Sequence, residues 1–164
     1  MKRITALASG SLKASGLLLA LAALLFVLQP NWSVVIRFQL DPTLKTVSGY
    51  VLLALMTFMW APVWLRKYLS QPQRLEILKL VHQWMGALVL LVFLVHANLA
   101  RSGYLAIFTL VVLLIAGVGT LLGWMQATAR ASGRRWLMAA HIAMSFVVTG
   151  FSILHVYFVY AYAG

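Results

Sequence analysis

The segment HQWMGALVLLVFLVH, from His82 to His96, is apolar almost throughout and carries a histidine at each end. The segment HIAMSFVVTGFSILH, from His141 to His155, has the same length and the same character. Together the two segments hold all four histidines of the chain. Because an imidazole inside a bilayer is costly and is usually retained for function, this repetition predicts a functional site.

Composition makes lipid the expected solvent for most of the chain. The 164 residues are 63% hydrophobic and 9% charged, whereas a soluble domain carries about 25% charged residues. One small core cannot hide this much apolar surface from water, so we expect an integral membrane protein in contact with lipid. The net charge of +11 does not indicate nucleic acid, because the basic residues lie between long apolar runs and form no basic domain.

The chain contains no cysteine. Disulfides, cysteine-ligated iron–sulfur clusters and covalently attached haem are therefore excluded. Any cofactor has to be held by histidine or by packing.

Long charge-free intervals predict five transmembrane α-helices. Each interval supplies the roughly 20 apolar residues that a membrane helix requires, and the alternating pattern of a membrane barrel is missing. The expected fold is all-α and integral to the membrane, a bundle of five helices in one transmembrane domain. The predicted helices cover about 12–30, 47–66, 77–99, 104–128 and 136–162 of the 164 residues.

The first predicted helix has an alternative interpretation. Its basic start followed by LLLALAALLFVL is similar to a secretory signal peptide. No convincing small-residue cleavage site follows, so we expect an uncleaved helix. Cleavage would leave the orientation of the other helices unchanged.

Lysine and arginine positions predict the orientation of the helices. With the N-terminus in the cytoplasm, ten basic residues lie on the cytoplasmic side and three on the outer side. The ten are Lys2, Arg3, Lys13, Arg66, Lys67, Arg74, Lys79, Arg130, Arg134 and Arg135, and the three are Arg37, Lys45 and Arg101. We expect a cytoplasmic N-terminus, an outer C-terminus and a location in the bacterial inner membrane.

The histidine spacing predicts two haem sites. Fourteen residues advance an α-helix by about 21 Å and bring both side chains to one face within about 40°. The third and fifth predicted helices run in parallel, so His82 is expected at the depth of His141, and His96 at the depth of His155. Each pair can supply both axial ligands of one haem iron. The sequence therefore predicts two non-covalent b-type haems, with 47–162 as the haem-binding core.

The histidines have two other interpretations. One is packing, in which each imidazole hydrogen-bonds to a neighbouring helix. The other is zinc, which normally requires a third ligand or a carboxylate. Asp41 and Glu76 are the only acidic residues, and neither lies within a predicted span.

Weaker candidates accompany the histidines. Gly86 shares the face of His82 and lacks a side chain, which allows a porphyrin to approach, although a helix-packing role is the alternative. Arg74 and Arg135, with Lys79 and Arg134, lie at the predicted cytoplasmic edge and could pair with haem propionates, although the positive-inside rule already accounts for them.

A G-x-x-x-G motif, Gly119 to Gly123, lies in the fourth predicted helix. This motif favours close contact between helices. The sequence leaves open whether the partner helix belongs to this chain or to another.

From about Ser48 to Tyr160 the chain resembles the ferric reductase-like transmembrane domain family. SGYVLLALMTFMWAPVWLRKY looks like the family's second helix and RLEILKLVHQWMGALVLLVFLVH like its third. SGRRWLMAAHIAMSFVVTGFSILH is similar to the basic start and histidine pair of the fifth. The resemblance implies that the four histidines are haem ligands and that the chain is an electron-transfer subunit of an oxidoreductase complex.

The chain departs from that family in three ways. A sixth helix has no counterpart, no flavin or nicotinamide domain follows, and no G-x-G-x-x-G or phosphate-binding loop is present. The histidine spacing is also similar to that of respiratory cytochrome b. Quinol oxidation there relies on an acidic residue near the site, and Glu76 is the only glutamate here.

The expected function is a di-haem b-type cytochrome that relays electrons across the membrane. The expected donor is a cytoplasmic flavoprotein or quinol, the acceptor is a partner on the outer side, and the chain is a subunit of a larger redox complex without catalytic residues of its own. One alternative is a quinone-reactive cytochrome b subunit that anchors a peripheral dehydrogenase. A further alternative is a haem-free membrane scaffold or transporter.

Overall fold

The structure is a computed structural model that describes Gly16 and residues 33–97, 103–127 and 133–162. The first predicted helix, at about 12–30, lies outside these residues except for Gly16. Every regular element among the described residues is an α-helix. These helices are α1 (Ser33–Leu40), α2 (Pro42–Phe58), α3 (Ala61–Leu65), α4 (Pro72–His96), α5 (Gly103–Ala127) and α6 (Arg134–Ala161).

Four stretches of the described chain are long and apolar enough to cross a membrane. They are Pro42–Leu65, Pro72–His96, Gly103–Met125 and Arg134–Ala161. Most of their residues are not buried inside the protein, and in the apolar part of the last stretch only 6% are. Side chains of this kind require lipid around them. The described helices thus confirm the prediction of an all-helical, multi-pass membrane protein, with four candidate spans.

The membrane-spanning helices begin earlier than the charge-free intervals predict. The prediction of a helix start at about 47 is wrong, because α2 begins at Pro42. Asp41 caps this start, since its Oδ1 accepts hydrogen bonds from the backbone N–H of Thr43 at 2.8 Å and of Leu44 at 3.0 Å. Proline at the first helical position needs no hydrogen-bond acceptor. Pro72 starts α4 in the same way, ahead of the predicted start at 77.

The second predicted helix is interrupted near its C-terminal end. Its two parts, α2 and α3, are joined by a tight turn in which the N–H of Trp60 donates to the carbonyl of Thr57 at 3.1 Å. Pro62 has no N–H to offer to the carbonyl of Phe58, and its ring disfavours a regular helix at this point. The prediction of one unbroken helix over 47–66 is therefore corrected to two helices within one apolar stretch.

The chain divides into two compact units, unit 1 (Met1–Asn98) and unit 2 (Leu99–Gly164). In unit 1, α2 and α3 pack on α4, and α1 packs on both α2 and α4. In unit 2, α5 packs on α6, with the rings of Phe108 and Phe151 stacked at 5.6 Å between centroids. The buried apolar residues are Leu52, Ala87, Leu90, Phe93 and Leu94 in unit 1, and Phe108, Val112, Leu122, Met125 and Val148 in unit 2.

A buried glutamine caps the end of α4. The side chain of Gln39, on α1, donates from Nε2 to the carbonyl oxygen of Ala97 at 3.1 Å and lies 3.5 Å from that of Leu94. The last carbonyls of a helix have no partner within the helix. Gln39 supplies a hydrogen-bond donor to these carbonyls, at the turn that contains His96.

Replacing Gln39 by leucine tests this cap. A buried acceptor that loses its hydrogen bond costs about 1–3 kcal/mol, so we expect Gln39→Leu to lower the melting temperature of the detergent-purified protein. Gln73→Leu is the matched control, because Gln73 is exposed in the first turn of α4. Equal melting temperatures for the two variants would contradict the role of the cap.

Candidate functional site

The four predicted ligands lie on two membrane-spanning helices, one in each unit. His82 and His96 belong to α4, and His141 and His155 belong to α6, and each helix is continuous from one histidine to the other. All four side chains are half-buried. A continuous helix keeps residues fourteen apart on one face, as the spacing predicts. The pairs His82–His141 and His96–His155 join residues of different units and remain a prediction.

His96 is held by two consecutive residues of α2. The hydroxyl Oγ of Ser48 lies 3.0 Å from Nδ1 of His96, and Ser48 is itself buried. A methyl group added at Gly49 would lie 3.1 Å from Cε1 of the same ring. The imidazole therefore sits directly against the backbone of α2, where a larger residue at 49 would displace it.

His155 also has a hydroxyl partner, at the start of α5. The Tyr104 hydroxyl lies 3.2 Å from Nδ1 of His155. The Tyr104 ring packs against Phe158, one turn beyond His155 on α6, with 5.6 Å between centroids. This packing restricts the phenol to the neighbourhood of the imidazole.

His141 lies against a glycine and a backbone carbonyl of α5. A methyl group added at Gly119 would lie 3.2 Å from its Cε1, and the imidazole hydrogen-bonds to the backbone of Ile115. Ile115 precedes Gly119 by one helical turn, so both contacts lie on one face of α5. The first glycine of the G-x-x-x-G motif thus contacts α6 of this chain.

His82 lies near the middle of α4, and its Nδ1 atom is shielded from solvent. Gly86 follows one turn later, and a methyl group added there would lie 3.4 Å from Cε of Met59. That distance is an ordinary van der Waals contact. The contact agrees with the helix-packing alternative for Gly86, and its proposed approach to a porphyrin remains a prediction.

The basic candidates are exposed at helix starts. Arg74 lies in the first turn of α4 and Arg135 in the first turn of α6. Glu76 forms an exposed ion pair with Lys79, with 2.6 Å between Oε1 and Nζ. The only glutamate of the chain is therefore engaged with a neighbouring lysine at the surface.

No group of three or more His, Cys, Asp or Glu side chains that could hold a metal ion occurs in the described part of the chain. A structural zinc site uses four such ligands. A haem iron with two axial imidazoles uses only two protein ligands, since the porphyrin supplies the rest.

Comparisons of the chain with protein-family models, with curated proteins and with solved structures gave no significant match.

The sequence patterns identified the histidines but missed the residues that hold them. Ser48, Gly49 and Tyr104 lie at the outer ends of their predicted helices, near the depth expected for His96 and His155. A hydroxyl or a glycine at that depth is a signal that could have been used. Its weakness is that hydropathy gives the depth of a residue and not the direction in which its side chain points.

Two glycines of α5 provide a test of the contact with His141. Glycine inside a helix costs about 0.5–1 kcal/mol relative to alanine, so Gly117→Ala, which meets no heavy atom within 4 Å, should stabilise the protein slightly. Gly119→Ala should lose that gain and about 1–3 kcal/mol more, because it overpacks the imidazole.

The measurement is thermal unfolding of both variants in the same detergent. Equal melting temperatures for Gly119→Ala and Gly117→Ala would show that the His141 imidazole can move aside without a loss of stability.

Proposed function

We propose that this chain is a di-haem b-type membrane cytochrome that relays electrons across the bilayer. His82 with His141 would ligate the cytoplasmic-side haem, and His96 with His155 the outer-side haem. The N-terminus lies in the cytoplasm and the C-terminus on the outer side, as the distribution of basic residues favours. The membrane is the bacterial inner membrane.

The observation that carries this proposal is the placement of the histidines. Two half-buried imidazoles occur on each of two continuous membrane-spanning helices, at the same spacing. Ionisable side chains at such positions usually serve a function. Histidines at two levels along each helix suit two redox centres at different depths, which would divide the crossing into shorter steps.

The contacts around the imidazoles are of the kind that metal-ligating histidines have. Such a histidine usually engages one ring nitrogen with a polar protein group, which fixes the ring and leaves the other nitrogen for the metal. His96 and His155 engage Nδ1 with a hydroxyl. When bound, a haem supplies one-electron redox chemistry at its iron.

The chain's own residues hold and insulate the site. The imidazoles would hold each haem iron with two ligands, which would leave no position for oxygen or a substrate, and the apolar helices would exclude water. Electrons would enter from a cytoplasmic flavoprotein or quinol and leave to a partner on the outer side. The chain would act as one subunit of a larger redox complex, in which its partners convert the substrates.

Quinol chemistry within the chain itself has less support. The acidic group that such a site requires would be Glu76, which is exposed and paired with Lys79. A quinone-reactive subunit that anchors a peripheral dehydrogenase thus remains the second candidate, and a haem-free scaffold the third.

Haem analysis of the purified full-length protein tests the proposal. We expect two haems per chain by pyridine haemochrome assay, both low-spin because both axial positions are filled. Acid–acetone should extract all of the haem, because no cysteine is present to attach it. A haem-free protein would favour the scaffold alternative, and one haem per chain, or haem that resists extraction, would equally contradict the proposal.

Separate replacement of His82 and His155 tests the pairing. His82→Ala should remove the cytoplasmic-side haem and largely spare the other, and His155→Ala should do the reverse. Redox titration of the haem absorption distinguishes the two centres. Electron delivery to an impermeant outer acceptor should stop in His155→Ala, whereas the remaining haem should still be reduced from the cytoplasmic side.

The spectrum of the remaining haem controls for folding in each variant. If both variants lacked the same haem and kept the same other one, the pairing would be wrong. A His155→Ala protein that keeps its inner haem and still delivers electrons outside at the normal rate would refute the two-step route.

A further inference from the structure

The hydroxyl of Ser48 determines which nitrogen of His96 carries the proton. Its Oγ lies 3.0 Å from the carbonyl oxygen of Lys45 and 3.0 Å from Nδ1 of His96. A serine hydroxyl has one proton to donate and lone pairs with which to accept. The Lys45 carbonyl can only accept, so it takes the hydroxyl proton, and Oγ accepts the N–H of Nδ1.

This assignment makes Nε2 of His96 the nitrogen with the lone pair. Gly49 adds a second restraint, because its missing side chain lets Cε1, which lies between the two ring nitrogens, approach the backbone of α2. The hydrogen bond restrains Nδ1, and the close approach to Gly49 restrains Cε1. Together they limit the directions in which Nε2 can point.

Tyr104 makes the corresponding contact in unit 2. Its hydroxyl meets His155 through Nδ1, the same nitrogen that Ser48 meets on His96. The tilted Tyr104 ring is supported by Phe158. In each unit, therefore, the histidine nearer the predicted outer side has a hydroxyl on Nδ1, and both hydroxyls come from a helix other than the one that bears the histidine.

We propose that Ser48 and Tyr104 are positioning residues that direct Nε2 of His96 and His155 to iron, with Nδ1 of His96 protonated, and that they thereby set the redox potential of the outer haem. The part that concerns iron rests on the proposed function. The part that concerns the position of the proton on His96 stands on the hydrogen bonds alone.

The direction of the effect follows from the hydrogen bond. An acceptor on Nδ1–H increases the basicity of the ligating nitrogen, which stabilises the ferric form more than the ferrous form and lowers the potential. Removing the acceptor should raise the potential of the outer haem. Outer partners of metal-ligating histidines typically contribute about 10–100-fold to affinity, and we expect a loss of outer-haem affinity in that range.

The experiment compares Ser48→Ala, Ser48→Thr and Tyr104→Phe with Thr46→Ala in the full-length protein. Thr46 is the matched control, because its exposed hydroxyl lies on the same turn of α2 and bonds the Pro42 carbonyl of its own helix. Redox titration reports the two haem potentials, and His82→Ala identifies the outer one. Nitrogen-15 chemical shifts of labelled histidine report the protonated nitrogen without reference to haem.

We expect Ser48→Ala and Tyr104→Phe to raise the outer potential and weaken retention of the outer haem. Thr46→Ala should match the native protein, and Ser48→Thr should restore the native potential. A merely structural role for Ser48 would change stability without moving the potential of the haem that is retained. Native potentials in Ser48→Ala, with two haems bound, would overturn the proposal.

The failure of the proposed function is recognisable separately, because the native protein would then contain no haem. In that case the nitrogen-15 shifts of the labelled histidine still test whether Nδ1 of His96 carries the proton. A native His96 protonated at Nε2 would overturn the assignment, and this measurement also serves if Ser48→Ala does not fold.

Discussion

An imidazole in a membrane-spanning helix needs a polar partner from the protein itself, because hydrocarbon offers none. This constraint explains the helix contacts around the histidines. His96 meets a hydroxyl of α2, His155 a hydroxyl of α5, and His141 a backbone carbonyl of α5. In lipid, where apolar contact between helices gives little driving force, such polar contacts and close approaches at glycine specify how helices pack.

The two units meet this constraint in similar ways. In unit 1 the ring of His96 approaches Gly49, and in unit 2 the ring of His141 approaches Gly119. Each glycine lets the backbone of one helix come close to an imidazole of its neighbour. The helix that bears histidines is thus placed by a helix that bears none, in both halves of the chain.

The sequence predicted the class of fold and the four described spans, because hydropathy and length indicate which segments must be surrounded by lipid. It did not predict the helix ends, since these depend on capping. Asp41 and Pro42 extend α2 beyond its apolar stretch, and Pro62 divides that stretch in two. The short helix α1 was missed because eight residues with little apolar continuity carry no membrane signal.

The shared helix face of the two histidines on each helix was predictable from spacing alone, since fourteen residues is close to a whole number of helical turns. Ser48 and Tyr104 were not, because their relation to His96 and His155 depends on how each helix is rotated about its axis. Hydropathy changes little around the surface of a helix that is apolar on all sides, so it contains little information about rotation. That information first becomes available when two helices are in contact.

The cap on α4 has a consequence for how the protein responds to an electric field. His96 is the last residue of its helix, in the turn that would ordinarily fray first. Lysine or arginine can cap such an end. A charged cap would interact with the transmembrane voltage and with any change of charge nearby. Gln39 makes the same kind of bond with a neutral amide. The end of α4 is thus capped by a group without net charge, on which the voltage exerts no net force.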